Sequence, residues 1–308
     1  MAATVPTTDR GQEPRGCEIK VCSGSTAERA QRDRGMLALD PPCDRPRHIV
    51  AGSKADINQG MSVRPCPSPS EALTIAGAIV RERYPSACFA FVAGSIMRGE
   101  GTNLSDIDLV IVFDALEAAR RESFTSRGVP VEAFIHDPGT LAWFVNDDAA
   151  RGRPSILNMI AEGHAIGRAL DRAETLRESV SIRLRAGPPA LMQAELDALR
   201  YEITDAVDDL RGERNAPERL AIGIMLYPKL AELALRGRGH WSGAGKWVPR
   251  LLAKNDQALG DRFDTAFRAL FEAGQPGPVI ALAESELAPH GGRLFDGDRR
   301  TAPANWRA

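Results

Sequence analysis

No stretch of the 308-residue sequence is apolar over the length needed to cross a bilayer, and no basic-then-apolar leader opens it. Both absences predict a cytoplasmic protein without a membrane partner. Cysteine is sparse: Cys17, Cys22, Cys43, Cys66 and Cys88 show no Cys-x-x-Cys pair, which argues against a structural zinc site and for a reducing compartment. Lysine is scarcer in proportion, present only at Lys20, Lys54, Lys229, Lys246 and Lys254. The net charge is −2 and no dense basic block forms, which argues against a nucleic-acid primer or template as partner. Residues 1–67 lack apolar periodicity and are rich in Pro, Gly, Ser, Thr and Arg. Such composition offers little apolar surface to offset the entropy of ordering, so this extension is expected to be disordered, with Met61 as a translation start.

What the chain does have begins at residue 68. Ser68 or Ser70 caps a helix reaching Arg83, followed by the strand-like run Ala87 to Ala93. That run breaks at Gly94-Ser95. Glycine there lets backbone N–H groups come close to an anion, and a short helix through Ile96, Met97 and Arg98 would aim its N-terminus at phosphate. Arg98 reads either as a phosphate contact or as a solvated side chain.

Ten residues later comes Asp106-Ile107-Asp108-Leu109-Val110-Ile111-Val112. Alternation on a strand puts Asp106 and Asp108 on one face and Ile107 and Leu109 on the other. Two carboxylates so close repel unless a cation neutralises them, and hard oxygen ligands suit Mg²⁺ bound to a triphosphate. A helical stretch from about Ala115 to Arg127 then leads to a second strand, Val129 to Asp137. Its Glu132 is a lone charge among Val, Ala, Phe and Ile, costly to bury unless paired or metal-bound.

Gly94-Ser95, Asp106-x-Asp108 and the later acid Glu132 together resemble the DNA polymerase β-like nucleotidyltransferase superfamily. Within it, the segment is similar to aminoglycoside nucleotidyltransferases of the streptomycin/spectinomycin adenylyltransferase type. The resemblance implies that Asp106 and Asp108 hold Mg²⁺ and that ATP is the co-substrate. It also implies transfer of a nucleoside monophosphate to a hydroxyl with release of pyrophosphate. Glu132 is a third metal ligand in some members and the hydroxyl-activating base in others, so both roles stay open.

After a brief strand at His164 to Ile166, helical patterns dominate: Arg172–Arg185, Pro189–Leu210, Pro217–Arg236, Lys246–Asn255, Asp261–Ala273 and Val279–Leu287. Pro228 is expected to kink or split the third of these. The glycine-rich segment Gly237 to Lys246 either places Lys246 on the triphosphate or merely connects two helices. The acids Glu195, Asp197, Glu202, Asp205, Asp208 and Asp209 read as a solvated face or as a pocket for a cationic acceptor. His136 and His240 read as packing residues before catalytic ones.

The expected architecture is an α/β (α+β) nucleotidyltransferase domain with a small mixed sheet at 68–168, an all-α helical bundle at 169–290 and a tail at 291–308. The expected acceptor is a small molecule bearing a hydroxyl, an aminoglycoside among the candidates. An antitoxin-like nucleotidyltransferase acting on a partner protein is the alternative, which the fused helical region disfavours.

Overall fold

The computed structural model describes residues 65–301, so the expectations for the N-terminal extension, Met61 and the last seven residues lie outside the described residues. Helix α1 (Pro69–Arg83) starts at a capping box in which Ser68 accepts from the Glu71 N–H and Glu71 accepts from the Ser68 N–H. Five strands follow: β1 (Phe89–Ala93), β2 (Ile107–Val112), β3 (Arg120–Ser126), β4 (Val129–His136) and β5 (His164–Gly167). They form one mixed sheet in the order β3-β4-β2-β1-β5, with β2 and β4 parallel and the other pairs antiparallel. This is the small mixed sheet expected from the sequence.

The sheet separates two apolar layers. Ile107, Leu109, Ile111, Val131, Ala133 and Ile135 pack with α1, while Val110, Val112, Phe89 and Phe91 pack on the other side. That second layer is covered by α2 (Pro138–Ala150), α3 (Ser155–Glu162) and α4 (Leu170–Ala186). A third core belongs to α5 (Gln193–Arg211), α6 (Ala216–Arg236), α7 (Trp247–Asn255), α8 (Gln257–Ala273) and α9 (Gly277–Leu287). Among the described residues no helix is long and apolar enough to cross a membrane.

Four local expectations need correction. The stretch Ala115 to Arg127 is not helical: its second half is β3, turned back onto β4 at Arg127 and Gly128, both with positive φ (52° and 76°). Helix formers such as Ala118, Ala119 and Glu122 suggest a helix, but the hairpin and the packing of Phe124 against the α1 layer prevail. The segment after Gly94 is a series of turns over residues 95–99, ended by Gly99 at φ 73°, so no helix N-terminus faces the site. Pro228 does not split α6. It lies on the exposed side, and the carbonyl it leaves without an N–H partner belongs to Ile224, a residue 60% exposed, so water can take that bond. The loop over residues 187–192 also shortens α5, which starts at Gln193 rather than Pro189.

Candidate active site

The β2–β4 pairing sets Asp108 directly beside Glu132, and the β1–β2 pairing sets Ala93 beside Asp108. Asp106 immediately precedes β2 and shares the parity of Asp108. One carboxylate oxygen from each of Asp106, Asp108 and Glu132 lies within 4.8 Å of the others, and all three side chains are half-buried. They occupy the face covered farther along by α2, α3 and α4.

Gly94 makes room for this cluster. A side-chain carbon there would lie 2.3 Å from Asp108 Oδ2, and its φ of 95° is one that L residues avoid. The Ser95 hydroxyl donates to Ser105 (3.1 Å), whose oxygen also accepts the Thr102 N–H (2.9 Å), so the loop between β1 and β2 is tied across its own base. Burial, then the charges of Asp106 and Glu132, push the Asp108 carboxyl up to about 7, against the opposing pull of Arg98 and Lys246. Three carboxylates converging beside a glycine that yields space are a donor set suited to a hard divalent cation.

The expected cations do reach this region. Arg98 is held rather than freely solvated: Nε faces Glu100 (3.4 Å), Nη1 faces Glu162 (3.3 Å), and the guanidinium lies 5.0 Å from the Trp247 ring centroid. Lys246, exposed at the start of α7, makes no hydrogen bond or ion pair among the described residues, yet its charge is felt at Asp108. The glycine-rich loop before it is anchored. Trp241 Nε1 donates to the Leu184 carbonyl (2.9 Å), and Ser242 donates through N and Oγ to the Gly152 carbonyl (2.8 and 3.1 Å).

Arg121 of β3 is a neighbour of this cluster that the sequence did not single out; it forms an ion pair with Glu132. Its signal was the two-residue alternation of β3, which puts Arg121 and Ser123 on the face of Glu132. His136, by contrast, is buried at the far end of β4, its ring 5.0 Å from that of Phe144, and burial lowers its pKa. It is a core residue. The acids of α5 are largely committed: Asp197 to Arg200, Glu202 to Lys229, Asp208 to Arg211 and Arg293, Asp209 to Arg214. Only Asp205 and the capping Glu195 lack such an ion pair among the described residues, so this helix carries an ion-paired outer face.

Residues 77–141 match the family model of a nucleotidyltransferase domain, a span that holds β1 to β4 and with them Gly94, Asp106, Asp108 and Glu132. Among solved structures, a nucleotidyltransferase-like protein from Exiguobacterium sibiricum 255-15 is similar over 70% of this chain and 73% of its own. The identity is 12% and the TM-score 0.38, a likeness too distant to add to the family match. No curated protein matches the chain.

Proposed function

We propose that this chain, which carries a nucleotidyltransferase domain, moves a nucleoside monophosphate from ATP to a hydroxyl of a small molecule and releases pyrophosphate. The observation that carries the reading is the convergence of Asp106, Asp108 and Glu132 within 4.8 Å beside Gly94. Asp106 and Asp108 are the ligands that would hold Mg²⁺, with Glu132 as third ligand or as base. When bound, the metal supplies charge neutralisation at the triphosphate and at the attacking oxygen. Arg98 and Lys246 offer positive charge to the phosphates. Since the Ser95 hydroxyl proton goes to Ser105, phosphate contacts from Gly94-Ser95 fall to their backbone N–H groups.

The acceptor oxygen bonds to the α-phosphorus as the bond to pyrophosphate breaks, and the hydroxyl proton must leave. Arg121 occupies Glu132 Oε1 and leaves Oε2 for that proton or for a metal. An aminoglycoside stands first among acceptors through the resemblance stated above. The fused helical region supports a small acceptor over the antitoxin-like alternative.

Incubation with α-labelled ATP, Mg²⁺, a panel of aminoglycosides and candidate proteins tests this reading. Label is expected on a small molecule in the wild type and in neither Asp106→Asn nor Asp108→Asn; label on polypeptide supports the alternative. With Glu132→Gln, normal Mg²⁺-ATP affinity and a rate partly restored at high pH assign the base, whereas weakened metal binding assigns the ligand. Wild-type turnover in all three variants would exclude nucleotidyl transfer at this site.

A further inference from the structure

Trp247 opens α7 with two guanidinium groups over its ring, Arg98 at 5.0 Å and Arg250 at 5.2 Å from the centroid. Glu100 Oε2 joins the same two arginines, 3.4 Å from Arg98 Nε and 3.2 Å from Arg250 Nη1. Two members come from the loop after β1 and two from α7. None is a core residue: Trp247 is 38% exposed, and α7 takes its apolar burial from Val248 and Leu252. The cluster therefore ties one surface segment to another, and what those segments share is the pair of cations beside Asp108. Arg98 is a member of the cluster, and Lys246 is the chain neighbour of Trp247.

We infer that Glu100, Trp247 and Arg250 form a clasp that positions Arg98 and Lys246 for the triphosphate, an inference that rests on the nucleotidyl-transfer reading above. An arginine on a free stem loses rotamer freedom when it grips a phosphate; one already held loses less. Glu100 and Glu162 take Arg98 through Nε and Nη1, while Nη2 makes no hydrogen bond among the described residues and is left for a phosphate oxygen. The ring fixes the plane of the guanidinium. Because Arg250 shares both the ring and the carboxylate, it holds Glu100 and Trp247 in the geometry that Arg98 requires. Glu100, Trp247 and Arg250 are thus positioning residues acting through Arg98 and Lys246.

The test is calorimetric binding of Mg²⁺ with α,β-methylene-ATP to the full chain. Trp247→Ala and Arg250→Ala are each expected to weaken nucleotide binding about five- to tenfold, in keeping with loss of one or two cation–π contacts. Trp247→Phe, which keeps a ring, should retain most of the affinity. In an Arg98→Ala background, where only Lys246 is left to position, Arg250→Ala should cost clearly less than it does in the wild type, a non-additivity that a merely structural role would not produce. Should Trp247→Ala fail to fold, Arg250→Ala, with its side chain 45% exposed, carries the test. Arg250→Ala binding the analogue as the wild type does would overturn the clasp and leave nucleotidyl transfer standing. Failure of the wild-type chain to bind the analogue would overturn that reading and the clasp with it.

Discussion

Asp108 works against its own fold. An ordinary paired carboxylate has a lowered pKa and adds stability above its unfolded value; here burial and two neighbouring acids raise the value from 3.8 to about 7. The folded state thus favours the protonated form, and stability contributed by that proton is lost as pH climbs from about 4 through 7. A shift of that size corresponds to a cost on the order of 4 kcal/mol once the group is ionised. Asp108→Asn is therefore expected to raise the stability of the metal-free protein at pH 8 by about 2–4 kcal/mol while abolishing turnover. Urea melts in chelator at pH 8 and pH 4 check it: the advantage should vanish at the lower pH, and equal midpoints at pH 8 would contradict it. Asp106, Asp108 and Glu132 were legible in the sequence because alternation fixes which side chains share a face. Arg121 was not, since its partner is eleven residues away and only the hairpin brings them together.

At the scale of elements, sequence periodicity fared well for buried segments and poorly for edges. The runs around Phe91, Val110 and Ile135 are apolar enough to be strands in any setting, and β1, β2 and β4 lie where expected. β3 is an edge strand with one half-buried face and three charged residues at its start, a composition that also suits a helix. Its character is set by Arg127-Gly128 and by pairing with β4. Pro228 misleads in the opposite sense, because the cost of a proline depends on whether the freed carbonyl meets water. Here it does, so the helix persists but lacks one bond. Pro228→Ala is expected to stabilise the protein by about 1–3 kcal/mol, read as a higher thermal midpoint with unchanged activity. A lower midpoint would mean that the proline ring packs against something essential.

For the whole molecule, Arg236 is the joint that the sequence hid. It is 6% exposed at the end of α6, donating to the Arg151 carbonyl (3.1 Å) and the Pro189 carbonyl (3.0 Å), and Gly152 at φ 64° leaves space for it. With Arg153 on Glu232 (2.8 Å) and Ser242 on Gly152, it couples the α2–α3 turn to the later helices. A helical pattern announces an apolar stripe without naming what covers it, which is why the packing of α4 on the sheet was also illegible. Arg236→Ala leaves two carbonyls unpaired and a void, and is expected to cost about 2–4 kcal/mol. Calorimetry should show one melt in the wild type and a broadened or divided one in the variant; a single, equally sharp transition in the variant would deny the coupling. A different consequence follows from the parallel register of β2 and β4. Slipping that pairing by one residue would turn Glu132 away from Asp108 and, by the same flip, carry Val131, Ala133 and Ile135 out of the layer packed with α1. The placement of the third acid and the packing of the core are thus one choice, and a chain that misplaces Glu132 also loses the apolar burial that keeps it compact. In any preparation of this protein, a cooperative melt is therefore itself a report that the three acids stand together.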